Sequence, residues 1–253
     1  IHYFVCGDNQ NPLLIFIHGW PMSLVTLRTI DPSVSISELA KYFYVVIPQL
    51  PGFFNSGPPK DLWNVEDYAH FVHRFMQKLN LDKPVVMGKS FGGGVAAMLA
   101  YKYPAGISKL VLIDSATIPE RNKLFWFKVV KPFATFCRWL IESNAMPFTL
   151  KRALISKFTG VSKKLIGKNN FQQYLIMVDI FLTYSRQFDP KSIQSPTLIV
   201  WGDKDYVTPF REAKRLNETI PNSKLLTFHG GHLVFEMNPS KVIGDIIDAL
   251  AKM

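Results

Sequence analysis

Cysteine is scarce in this chain. Cys6 and Cys137 are the two thiols in 253 residues, too few for a disulfide framework or a Cys-based zinc site. They read as small buried hydrophobes and fit a reducing compartment. Long apolar runs are missing too. No stretch of 18 or more uncharged apolar residues occurs, so no segment reads as a membrane-spanning helix. The start lacks a charged region, an apolar region and a cleavage site in series. The chain opens on Ile1 rather than Met, which leaves a trimmed leader or anchor open. No internal repeat is present. Fifteen glycines and seventeen prolines are ordinary numbers, so collagen-like and low-complexity classes are excluded. Hydrophobic residues make up 48%, which excludes intrinsic disorder. The expected compartment is the cytoplasm.

Acidic charge is also in short supply. The net charge is +10, which raises a nucleic-acid reading. Its distribution argues otherwise. Residues 116–190 hold twelve Lys and Arg against four Asp and Glu, while the rest hold seventeen against fifteen. The excess belongs to one aromatic segment with no nucleic-acid motif, so no nucleic-acid partner is expected.

What is present alternates. Ile1 to Val5 reads as a strand and Gly7-Asp8-Asn9 as a turn. Leu13–Ile17 and Tyr42–Ile47 are apolar runs suited to strands buried on both faces. Pro84–Met87, Lys109–Ile113, Thr197–Trp201 and Leu225–Phe228 read the same way. Between them lie helical patterns. Asn64 with Asp67 opens one by a capping pattern, followed by Val65, Tyr68, Ala69, Val72, Met76 and Leu79 at helical spacing. Others span Gly92–Tyr103, Phe210–Thr219 and Lys241–Leu250. This alternation predicts an α/β fold with a mostly parallel, doubly wound sheet. Residues 1–115 and 191–253 form its core. Residues 116–190, with thirteen aromatics and no clear buried strand, read as a helical cap or lid.

Gly88-Lys89-Ser90-Phe91-Gly92 fits G-x-S-x-G. Alone this is weak, since chance produces it in roughly one chain in ten of this length. Its place raises its value, because a strand leads in and a helix leads out, as a nucleophile elbow requires. Gly88 and Gly92 let strand and helix approach without a Cβ clash. The helix start favours negative charge developing beside Ser90. A phosphate-loop reading fails, because it needs a glycine where Lys83 stands.

A serine hydroxyl needs a base. His232, in Phe228-His229-Gly230-Gly231-His232, is the choice over His229, which sits near the strand end. His2, His70 and His73 read as surface or ordinary helix positions. The base needs an acid to hold its tautomer. Asp205 in Trp201-Gly202-Asp203-Lys204-Asp205 is the first choice. Asp203, which can also serve as a turn residue, and Asp114 remain alternatives. An oxyanion needs donors. The backbone N–H of Phe91 follows the nucleophile, and that of Trp20 lies in His18-Gly19-Trp20-Pro21 after an early strand. Gly19 lets that loop turn toward the site, and His18 reads as a structural residue bonding it.

With these residues in place, the sequence resembles the α/β-hydrolase fold family, in particular its lidded, single-domain serine hydrolases. The resemblance covers nearly the whole chain. It rests on H-G-W-P at 18–21, L-P-G-F at 50–53, G-K-S-F-G-G at 88–93, W-G-D-K-D at 201–205 and G-G-H at 230–232. It implies an acid at Asp205 and a base at His232. Three positions depart from the family pattern. Lys89 stands where His, Gln or Asn is more usual, Gln49 where an Asp is usual, and Phe54 where a Gly is common.

The expected activity is carboxylesterase or lipase-like hydrolysis through an acyl-enzyme, with no metal and no organic cofactor. The expected partner is a small ester-like substrate with an apolar group. The alternatives are hydrolysis of a carbon–carbon bond in ring-cleavage diketones, and ligand or membrane binding without catalysis. Stretches 124–131 and 133–140 mix large apolars with cations. They read first as a pocket cover and second as a peripheral contact with an anionic membrane surface.

Overall fold

The computed structural model describes residues 1–20, 32–59, 63–117, 139, 141, 146–159, 163, 166–167, 171, 174–176 and 189–253. Seven strands appear among them. They are β1 (Tyr3–Cys6), β2 (Leu13–Ile17), β3 (Tyr44–Pro48), β4 (Val85–Lys89), β5 (Lys109–Ile113), β6 (Thr197–Gly202) and β7 (Ser223–Phe228). The helices are α1 (Pro32–Leu39), α2 (Val65–Lys78), α3 (Phe91–Lys102), α4 (Phe148–Thr159), α5 (Phe210–Thr219), α6 (Val234–Met237) and α7 (Pro239–Ala251).

The sheet order is β1-β3-β2-β4-β5-β6-β7. β1 pairs antiparallel with β3, and every other pairing is parallel. Each central strand serves two cores, because successive side chains point to opposite faces. Ile15, Ile17, Val86, Leu110, Leu112, Ile199 and Trp201 face one core with α2, α3 and α5. Leu14, Phe16, Met87, Val111, Ile113, Leu198 and Val200 face the other with α7 and Leu39 of α1. Burial on both faces is why these strands read as continuous apolar runs.

Helix α2 starts where the capping pattern places it. Asn64 Oδ1 accepts from the N–H groups of Glu66 and Asp67, and Asp67 Oδ2 accepts from Asn64 N–H at 2.8 Å. Some boundaries differ from the sequence reading. β4 runs on through Gly88 and Lys89, which pair with Leu112 and Ile113. β7 begins at Ser223, opposite Thr197. In both places backbone pairing continues past the apolar run. Helices α1 and α6 are not visible in the sequence pattern. Both are short, and Ser35 Oγ of α1 ties them together through Phe235 O at 3.1 Å.

Stretches 124–131 and 133–140 lie outside the described residues, apart from Trp139. Within 116–190, α4 is a helix, and Ile141, Ile155, Ile166, Tyr174 and Leu175 form a small cluster of their own. Among the described residues no helix is long and apolar enough to cross a membrane.

Candidate active site

The turn from β4 into α3 holds Ser90 at φ 50°, ψ −118°. A non-glycine residue rarely adopts this conformation, and its cost must be met by the surroundings. Four backbone bonds do so. Ser90 N–H donates to Ile113 O at 2.9 Å, and Ser90 O accepts from the N–H groups of Gly93 at 3.0 Å, Gly94 at 3.3 Å and Ala116 at 2.9 Å. The flanking glycines are required sterically. A Cβ on Gly88 would sit 2.7 Å from Ala96 Cβ, and one on Gly92 would strike the carbonyls of Ile17 and His18.

The loop after β2 presses on this turn. A Cβ on Gly19 would lie 3.1 Å from Lys89 O and 3.2 Å from Ser90 Cβ. His18 shapes that loop. Its Nε2 accepts from Leu50 N–H at 3.1 Å, so its Nδ1–H donates to Gly19 O at 2.8 Å. Burial pushes His18 down to about 4, against the opposing Gly19 bond, and a neutral ring is what this pair of bonds needs. Trp20 and Phe91, whose N–H groups the sequence nominates as oxyanion donors, flank Ser90. Their rings approach to 5.9 Å, and Trp20 meets Phe53 at 4.8 Å. Among the described residues neither N–H has a protein acceptor.

Across the gap stands the loop after β7. His232 Nε2 lies 3.0 Å from Ser90 Oγ, and His232 Nδ1 lies 2.7 Å from Asp205 Oδ2. Both His232 and Asp205 are buried. Asp205 Oδ1 accepts from Val207 N–H at 2.7 Å and Thr208 N–H at 3.0 Å, while Thr208 Oγ1 donates to Oδ2 at 2.7 Å. Burial opposes ionisation of Asp205. The bond and charge of His232, with the Thr208 bonds, outweigh it and hold the carboxyl below its usual range. An ionised Asp205 takes Nδ1–H, which leaves Nε2 as the acceptor for the serine proton.

The alternative acids are placed elsewhere. Asp203 Oδ2 meets His229 Nδ1 at 3.1 Å, and Asp203 Oδ1 accepts from Gly230 N–H at 3.0 Å. It therefore braces the next loop rather than its own turn. Asp114 is fully buried, and its Oδ1 accepts from Gly202 N–H at 2.9 Å. Burial lifts it to about 6, against the pull of the Gly202 bond. Asp114, Asp205 and His232 offer ligand atoms within 4.8 Å of one another. His232 Nδ1 is already engaged by Asp205, so a cation there would displace that bond. His70 and His73 lie on α2 beside Tyr103, with His70 Nδ1 2.6 Å from Tyr103 Oη.

Two partners escaped the sequence reading. Thr208 closes a turn on Asp205, for which the Asp-x-x-Thr spacing was an available signal. Glu236 pairs with buried Lys89, and nothing local in the sequence links them. The family departures also gain a physical setting. Gln49 is buried, and its Oε1 accepts from Asn55 N–H at 3.1 Å. Phe54 has φ 51°, a left-handed conformation that explains why glycine suits this position.

Comparison with known proteins agrees with this architecture. The model of the α/β hydrolase fold family matches residues 12–239, and the chain belongs to that family. It is 25% identical to an uncharacterised hydrolase of Bacillus subtilis, over 94% of this chain and 91% of that protein. It is 26% identical to Lipase 3 of a Moraxella species, over 90% of this chain and 75% of that protein. A thermophilic esterase from Thermogutta terrifontis has the same fold, with a TM-score of 0.73 and 22% identity over 99% of this chain and 93% of that one.

Proposed function

We propose that the chain is a serine hydrolase of carboxylic esters with an apolar acyl or aryl group. The observation that carries this reading is the hydrogen-bonded series Ser90 Oγ, His232 Nε2, His232 Nδ1 and Asp205 Oδ2, mounted on a strained serine turn. Ser90 Oγ attacks the ester carbonyl as His232 Nε2 takes its proton. Asp205 holds the ring and stabilises the imidazolium. The Trp20 and Phe91 N–H groups receive the oxyanion. His232 then protonates the leaving alcohol, and the acyl-enzyme is released by water that His232 deprotonates. The partly exposed ring of Trp20, backed by buried Phe53 and Phe91, offers the acyl group an apolar face.

The test is hydrolysis of p-nitrophenyl esters from acetyl to palmitoyl, with Ser90→Ala in parallel. The expected result is turnover that Ser90→Ala abolishes, with an optimum chain length that sizes the pocket. Equal turnover by both proteins would overturn the assignment. No ester turnover, with bleaching of a dienol-diketone chromophore instead, would move it to carbon–carbon hydrolysis.

A further inference from the structure

The residue before the nucleophile reaches the base. Lys89 closes β4, and its side chain is buried beneath the elbow. Its Nζ donates to the main-chain oxygen of His232 at 3.0 Å. It also pairs with both carboxylate oxygens of Glu236 on α6, at 2.6 and 2.8 Å. Both side chains are largely out of water, so neither charge is tolerable alone. Among the described residues, the His232 carbonyl takes its hydrogen bond from Lys89 rather than from a backbone N–H. The neighbouring loop is tied to the other side. Gly230 N–H goes to Asp203, and Gly230 O accepts from Lys204 N–H at 2.8 Å. The loop thus has one anchor at Gly230, to the loop after β6, and one at His232, to the last residue of β4.

We propose that Lys89 is a positioning residue for His232, a strut that fixes the distance between the base and the nucleophile, with Glu236 as the counter-ion that lets the strut be buried. The catalytic consequence rests on the serine-hydrolase reading. The strut itself does not. Ser90 and His232 lie 142 residues apart, and their own bond must break and re-form in each cycle. Lys89 joins the adjacent main chains by a bond that the reaction leaves alone. Its ammonium meets Glu236 from α6 and the His232 carbonyl. The His232 ring meets Asp205 and Thr208 from the loop after β6, and Asp114 from the end of β5 belongs to the same cluster.

Two variants separate positioning from simple folding. Lys89→Met strands Glu236 and lowers stability. Lys89→Met with Glu236→Leu removes both charges and keeps an apolar filling, so thermal stability returns toward wild type. The double variant still lacks the donor to His232. Its amide hydrogens over 230–234 are expected to exchange at least about fivefold faster, with the β2–β6 sheet unchanged. Its kcat on the ester series is expected to fall about ten- to hundredfold, with KM within about twofold. Unchanged exchange over 230–234 would overturn the strut. Recovery of kcat together with stability would also overturn it, because Lys89 would then be a folding residue only. Absence of Ser90-dependent turnover in the wild type would sink the hydrolase reading alone, since the exchange measurement still decides the strut.

Discussion

Two histidine–aspartate pairs join the same two loops. His229 meets Asp203 at 3.1 Å, and His232 meets Asp205 at 2.7 Å. The residue types are identical, and the pairs lie two and three positions apart along the chain. Their surroundings differ. The His229 and Asp203 side chains are 75% and 35% exposed, whereas those of His232 and Asp205 are 7% and 0% exposed. Water screens the outer pair, which does little beyond bracing a turn. The inner pair is held by Thr208 and Val207, beside the Ser90 hydroxyl. What separates the two pairs is depth rather than residue identity.

The sharpest way to break this contrast is to cut the inner pair. His232→Ala is expected to lower kcat/KM on the preferred ester by at least about ten-thousandfold, with the fold retained by circular dichroism. Asp205→Asn keeps the shape and removes the acceptor that fixes the tautomer, and a loss of about a thousand- to ten-thousandfold in kcat is expected. A loss under tenfold in either variant would equate the inner pair with the outer.

Asp114 sharpens the same lesson through stability. Its raised value, about 6 against an ordinary 3.8, means the native protein keeps a proton that the unfolded chain has released. Its favourable contribution is complete below the unfolded value and is lost as pH rises through the folded one. Asp114→Asn removes this dependence while leaving an oxygen to accept from Gly202. Relative to wild type, the variant should therefore gain stability between about pH 4 and pH 7, by up to about 3 kcal/mol. Urea midpoints across that range measure it, and a flat difference would contradict the account. The smallest effect is expected at the outer pair. His229→Ala should leave kcat/KM within about twofold. A hundredfold loss there would reverse the contrast.

Much of the sheet is legible in the sequence. Strands such as Leu13–Ile17 and Lys109–Ile113 are short and apolar because helices cover both faces. The capping pair Asn64 and Asp67 marks the start of α2 by a local hydrogen-bond requirement. Helices α1 and α6 were not legible, since their hold on the protein is mostly through distant partners such as the Ser35–Phe235 bond. The spacing of the predicted insertion at 116–190 belongs to sequence pattern, and its aromatic stretches lie outside the described residues.

At the site, the elbow is legible in the residue pattern around Ser90. Gly88 is demanded by contacts within one strand, one turn and one helix, with Gly92 O and Ala96 Cβ, whereas Gly92 clears the carbonyls of Ile17 and His18 on the neighbouring strand and loop. The sequence also restricts the candidate acid to three aspartates and the candidate base to the loop after the last strand. The tertiary structure alone decided that Asp205 rather than Asp203 or Asp114 meets His232, and that Lys89 reaches the His232 carbonyl. Spacing along a chain reports local geometry, whereas burial and pairing between separate segments, 27 residues apart for Asp205 and His232 and 143 for Lys89 and His232, depend on how the whole sheet brings their ends together.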